Sequence, residues 1–132
     1  MFEENVKTSS REELVNITPL LEKALKKAGI RNGACLVHVP HTTAAVTINE
    51  NADPDVPRDI IMGLKKLVPA SWPFAHAEGN SDAHLKASLI GSSVTLPIEN
   101  GRFKLGTWQG VFFCEFDGPR SRRVFFQFTP SQ

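Results

Sequence analysis

Three of the chain's histidines, His41, His76 and His84, stand in segments rich in other polar groups. His41 belongs to Pro40-His-Thr-Thr43, directly after an apolar run that reads as a strand, so its ring can point into a cleft at the strand end. An imidazole flanked by the hydroxyls of Thr42 and Thr43 can work as a general base, donate to a phosphate or ligate a metal. It can equally be a loop imidazole bonded to backbone. His76 and His84 bracket a glycine-bearing turn that also contains Glu78, Asn80 and Asp82. Their spacing matches neither the helical pair of a zinc protease nor a zinc finger. It does let one imidazole come from a loop and the other from the first turn of the next helix. The free N–H groups of such a helix start favour an anion. Asp82 opposes that anion unless it caps the helix or binds a metal. The plainer reading is a capped loop with two surface imidazoles, and His38, inside a strand, reads as structural.

Arg120 lies in Glu115-Phe-Asp-Gly-Pro-Arg-Ser-Arg-Arg123, where a turn follows an apolar strand. A guanidinium grips phosphate through two parallel donors. Arg122 and Arg123 start the next strand and must point to opposite faces, so at most one of them joins Arg120. The alternative is an exposed basic turn. Asn49 to Asp55, with Asp59 one turn later, gathers carboxylates; Asp59 or Glu50 could act as a base or orient a ligating imidazole, while Asp53 reads as a helix cap. Trp108 could stack on a flat heterocycle or simply pack. Taken together, these groups suit a phosphorylated small molecule with a divalent metal. His41, His76 and His84 are the expected metal ligands and, with Asp59, the expected catalytic groups. Arg120, Asn80, Thr42 and Trp108 are the expected substrate contacts. Three imidazoles favour zinc or a similar transition metal; magnesium, which takes oxygen ligands, is the alternative. No nucleophile triad, P-loop or dinucleotide fingerprint is present.

The elements that must carry these residues follow from period and punctuation. Strands are predicted over Phe2–Thr8, Glu12–Ile17, Ala34–Val39, Thr43–Ile48 and Ser93–Ile98. Thr18 reads as the cap of a helix with Pro19 at its first position and Gly29 as its stop. Asp53 caps a second helix starting at Pro54, with Val56, Ile60, Leu64 and Leu67 as its apolar stripe. After an irregular stretch from Pro69 to Gly79, Ser81 or Asp82 caps a short third helix through Leu89, stopped at Gly91. Asn100-Gly101 is a hairpin turn, Arg102–Phe116 reads as one long strand, and Arg122–Phe128 closes the chain after the turn at Asp117-Gly-Pro119. This predicts a single α+β domain over residues 1–132, with a mostly antiparallel or mixed sheet and about three helices. The long strand is apolar on both faces: Phe103, Leu105, Val111 and Phe113 on one, Trp108, Phe112, Cys114 and Phe116 on the other. Three modest helices leave cover to be found, which predicts a homo-oligomer.

Composition bounds the rest. The 132 residues suit one core. Lys plus Arg is 15 against 14 for Asp plus Glu, so a basic nucleic-acid surface is not expected. No apolar run is long enough to span a bilayer. The acidic N-terminal start lacks the apolar stretch of a secretory signal. Cys35 and Cys114 sit in apolar strands and read as free thiols of a cytoplasmic protein.

Three runs carry a resemblance: His41-Thr-Thr-Ala-Ala-Val-Thr-Ile-Asn-Glu-Asn-Ala-Asp-Pro-Asp-Val56, His76-Ala-Glu-Gly-Asn-Ser-Asp-Ala-His-Leu-Lys86, and Leu105-Gly-Thr-Trp-Gln109 with Glu115-Phe-Asp-Gly-Pro-Arg120. From about residue 10 to 128 the chain resembles the YjbQ-like proteins, a family described as secondary thiamine-phosphate synthases. The resemblance implies a compact α+β subunit in a homotrimer. It also implies a metal or phosphate site at His41, His76 and His84 near subunit boundaries. The implied activity is a weak joining of a pyrimidine diphosphate to a thiazole phosphate. Relatives often carry Tyr in the lead-in to the second run; this chain has Trp72-Pro-Phe74 and no Tyr at all. The class set against this enzyme is a non-catalytic trimeric protein that binds a metal or an anion.

Overall fold

The computed structural model describes residues 1–131. Its elements run β1 Phe2–Lys7, β2 Glu13–Asn16, α1 Thr18–Ala28, β3 Gly33–His38, β4 Ala44–Glu50, α2 Asp55–Leu67, α3 Ser81–Ile90, β5 Ser93–Glu99, β6 Arg102–Phe103, β7 Gln109–Glu115 and β8 Ser121–Pro130. Two sheets form, one of five strands in the order β1-β8-β3-β5-β6 and one of three in the order β2-β7-β4. Every strand pair is antiparallel. This is the α+β, three-helix architecture that the hairpin-rich ending predicts.

The period of two along each strand decides what lies inside. Cys35 and Val37 of β3, Leu96 and Ile98 of β5, and Val124 and Phe126 of β8 all point inward from the large sheet. They meet Val46, Val111 and Phe113 of the small sheet, with Leu21, Ala24 and Leu25 of α1 in the same core. Phe113 and Phe126 are fully buried, so truncating either to Ala would cost about 3–5 kcal/mol. The other face of β7 is just as dry. Cys114, Phe116 and Ala45 lie beneath Ala83 and Ala87 of α3, with Ile61 and Leu64 of α2 packed alongside. The cover that the two-faced apolar strand demands therefore comes from this chain's own helices, and that ground for a second subunit falls away.

Several local expectations are corrected. The run Arg102–Phe116 is not one strand: β6 pairs with β5 in the large sheet and β7 lies in the small one. Between them the chain turns, Gly106 N donating to Gln109 Oε1 (2.8 Å) and Gln109 N to Gly106 O (3.1 Å), which leaves Trp108 64% exposed. Thr18 is not the cap of α1, because its buried hydroxyl accepts from Val111 N (2.8 Å) and donates to Asn16 Oδ1 (2.7 Å); Ile17 occupies the cap position. Gly29 does end α1, at φ 68°. Asp53 accepts from Asp55 N at 2.9 Å, and α2 starts just past Pro54. Its packing face is Ile61 and Leu64, whereas Leu67 is 69% exposed. The hairpin turn holds as predicted: Asn100 (φ 54°) and Gly101 (φ 76°) both take the left-handed conformation of a two-residue turn, with Glu99 opposite Arg102.

Candidate functional site

One end of the sandwich gathers the C-terminal end of β3, the start of β4, the end of β7, the start of β8 and the N-terminus of α3. A polar cleft of about 590 Å³ opens there, and His41, Thr42, Asn80, His84 and Arg120 all line it. Five residues chosen by type and spacing thus come from three distant segments to one place.

β3 pairs with β8 no further than His38 opposite Phe125. The amide of Arg123 lies beyond that last rung, and His41 Nε2 accepts its hydrogen bond at 2.9 Å. The imidazole thus stands in for the next strand carbonyl. Both readings of His41 hold at once: it is bonded to backbone and it lines the cleft. With Nε2 engaged, Nδ1 is the ring nitrogen left for a ligand. Burial, then the nearby Arg122 and Arg123 charges, pull its pKa below the ordinary imidazole value.

The α3 start supplies Asn80 and His84. Asn80 Nδ2 donates to Asp117 Oδ2 at 2.9 Å, while Asn80 Oδ1 is buried with no hydrogen-bond partner among the described residues. A buried acceptor left open in a cleft wall suits a donor brought in by a ligand. Arg120 is clipped to the same turn, Nε to Asp117 O (2.9 Å) and Nη2 to Asp117 Oδ2 (3.1 Å), with half its side chain in solvent. The rings of His84 and His76 meet edge-on at 5.5 Å between centroids, and His76 Nε2 lies 3.7 Å from Glu78.

Two more arginines line the cleft: Arg122, the one of the Arg122–Arg123 pair that joins Arg120, and Arg11, which the loop motifs do not announce. Arg122 is buried and donates to Glu115 Oε1 (2.8 Å) and Thr43 Oγ1 (2.8 Å), with a second short bond to Glu115 Oε2. Glu115 also accepts from Thr8 Oγ1 (2.8 Å) and Asp117 N (3.0 Å). Burial alone would raise its carboxyl, but Arg122, the Asp117 amide and Thr8 outweigh it and hold Glu115 below the usual carboxylate range. Arg11 presents its fork to Asp82, at 3.1 Å and 3.2 Å. Asp82 is fully buried and also takes Lys86 Nζ at 3.0 Å; Lys86, buried too, binds Glu12 as well. Asp82 is therefore neither the α3 cap nor an obstacle in the cleft mouth. Two signals for these residues were in the sequence: Arg122 shares inward parity with Val124 and Phe126, and Asp82 and Lys86 are four apart on a helix.

Other expected site residues lie elsewhere. Asp59 is on the exposed side of α2 and does not reach the cleft. Trp108 and Glu50 lie at the opposite end of β7 and β4, where Glu50 pairs with Gln109. Among the described residues no three His, Cys, Asp or Glu side chains converge closely enough to hold a metal ion. One chain does not bring the three imidazoles to one point: His41, with Nδ1 open, and His84 line the cleft together, while His76 meets the His84 ring from outside that lining. His38 is bonded to Ser93 at 2.6 Å, as a structural residue would be. Cys35 and Cys114 are buried free thiols whose pKa burial pushes up to about 12, so neither serves as a nucleophile. Among the described residues no helix is long and apolar enough to cross a membrane.

The family model described as "UPF0047 protein YjbQ-like" matches residues 3–131. The UPF0047 protein MJ1081 of Methanocaldococcus jannaschii is 54% identical over 125 residues, 95% of this chain and 91% of that protein. YugU, a UPF0047 protein of Bacillus subtilis, is 49% identical over 91% of this chain and 92% of its own length. Among solved structures, a YjbQ/UPF0047-family protein of Clostridium acetobutylicum superposes with a TM-score of 0.96 at 53% identity, covering 98% of this chain and 100% of the other. The conserved hypothetical protein TT1486 of Thermus thermophilus superposes with a TM-score of 0.91 at 43% identity, covering 98% and 100%.

Proposed function

This chain belongs to the UPF0047, YjbQ-like family, and from that premise we propose that it binds a phosphorylated small molecule in the His41–His84–Arg120 cleft and acts on it as a transferase. The reaction class we assign is that implied by the resemblance: joining of a pyrimidine diphosphate to a thiazole phosphate, with diphosphate leaving. We place the protein in solution as a homotrimer. The observation that carries the reading is the convergence of His41, Thr42, Asn80, His84 and Arg120 on one polar cleft of about 590 Å³. In that cleft Arg120 and the Thr42 hydroxyl hold a phosphate, and the His84 imidazole gives a proton to the departing phosphate oxygen. Neutral His41, open at Nδ1, orients the acceptor. Asn80 Oδ1 takes a donor from the heterocycle. A divalent metal held by His41, His76 and His84, as the resemblance implies, would add its charge to that of the arginines.

A non-catalytic anion-binding protein is the second reading. It is favoured over catalysis by the engagement of Arg11, Arg120 and Arg122 with Asp82, Asp117 and Glu115, which leaves less of their charge to stabilise a departing diphosphate. Calorimetric titration with inorganic diphosphate, beside a turnover assay with the two phosphorylated heterocycles, separates the two. Arg120→Ala is expected to weaken diphosphate binding about tenfold, and His84→Ala to lower turnover by about 10²-fold or more while binding persists. Binding without turnover in the unaltered protein selects the second reading. Failure to bind any phosphate ends both.

A further inference from the structure

We infer that the groove between α1 and the β5–β6 hairpin is a second binding site, built for an organic anion with an apolar body. At about 760 Å³ it is larger than the histidine cleft. It lies at the far end of the small sheet, since the groove includes Asn51 and Gln109 whereas the histidine cleft lies by Thr43 and Glu115. Nothing in the proposed transferase reaction uses it.

Its floor and rim differ in chemistry. Leu25 of α1, with Phe103 and Leu105 past the hairpin turn, lines the bottom, and the last two are only half buried. Half-covered aromatic and aliphatic side chains at the base of a concavity gain when a ligand displaces water from them. The exposed part of the lining carries Lys23 and Lys26 from α1 and Arg102 from β6. None of these cations forms an ion pair among the described residues. Glu22 is the one carboxylate in the lining, and the hairpin's own Glu99 is taken by Lys104 at 2.8 Å. Lys26 sits in the last turn of α1 and partly offsets the helix dipole, which leaves Lys23 and Arg102 as the uncompensated pair. This contrasts with the histidine cleft, where each arginine already has its carboxylate. A carboxylate or phosphate head between Lys23 and Arg102, with its apolar body on Phe103 and Leu105, satisfies both halves of the groove.

The probe is 1-anilinonaphthalene-8-sulfonate, followed by fluorescence on the whole chain. Saturable binding at one site per chain is expected, displaced by decanoate, by decyl phosphate or by both, and not by decyltrimethylammonium or inorganic phosphate. The charge reversal Lys23→Glu with Arg102→Glu should weaken it about tenfold at unchanged thermal stability. Arg120→Ala should leave it untouched; loss of binding there would place the probe in the histidine cleft and overturn the inference. Equal displacement by the cationic detergent, or indifference to the charge reversal, would also overturn it. So would a groove that accepts the probe only after dissociation of an oligomer, since another copy would then be its occupant. If the double variant fails to fold, hydrogen exchange at Phe103 to Leu105 reads the same claim: decanoate must slow it in the unaltered protein, and unchanged exchange refutes the site.

Discussion

Glu115 accepts from Thr8, Asp117 N and both arms of Arg122, and neither Glu115 nor Arg122 touches solvent to any extent. Removing one member of such a pair strands the other charge, so Arg122→Met should cost about 3–5 kcal/mol, read as a shift in urea midpoint. The sign with pH follows from the depressed carboxyl of Glu115. Its contribution is complete above the ordinary carboxylate pKa and drains away as pH falls through the lower folded value. The acid limb of the stability curve should therefore flatten in Glu115→Gln. His41 acts in the same direction at a higher pH: its lowered pKa means the unfolded chain takes up the proton first, so stability is lost as pH drops below the ordinary imidazole value toward the folded one. An NMR titration of the His41 ring checks this, and a midpoint at or above the ordinary value would remove it. At this scale the sequence reads well where a side chain's placement is local, as for Arg120, clipped to Asp117 three residues before it. It reads poorly where a role depends on a distant partner. Thr43 and Arg122 are separated by 79 positions and Arg11 and Asp82 by 71, and no local pattern joins them.

The helix α3 carries Asn80 and His84, and what holds it down is as much charge as apolar contact. Lys86 bridges Glu12 and Asp82, Asp82 binds Arg11, and Lys65 of α2 reaches Glu12 at 3.6 Å. Lys86→Met should leave two carboxylates facing each other in a dry place and destabilise the chain by about 3–5 kcal/mol, seen as a fall of roughly 10–20 °C in melting temperature. A fall of one or two degrees would show that α3 docks by packing alone. The turn bearing Asp117 and Arg120 is fixed differently. A Cβ at Gly118 would lie 2.5 Å from Ser10 O and 2.8 Å from Glu115 Cγ, so Gly118→Ala should displace that turn and cost about 1–3 kcal/mol. Element boundaries were largely visible from turn residues, including Gly29, Asn100-Gly101 and Gly91. The break between β6 and β7 was not. Lys104 to Gln109 keeps enough apolar character to pass for strand, and only the Gly106–Gln109 hydrogen bonds reveal the corner. That corner is why Trp108, in register with Phe112 on paper, ends in solvent.

For the whole molecule, the homotrimer proposed above and the apolar side chains left outside, such as Met62, Leu85 and Leu89 on the helical layer, lead to an expected solution mass of three times 14.6 kDa by light scattering. A single-chain mass would withdraw the trimer. The two cysteines belong to separate interiors, Cys35 between the sheets and Cys114 under α2 and α3. Each thiol can therefore serve as a native clock for the opening of its own compartment, timed by a thiol reagent that reacts only when its lid lifts. Because α2 contributes no fully buried side chain, the compartment beneath it should open first, and Cys114 should be labelled ahead of Cys35.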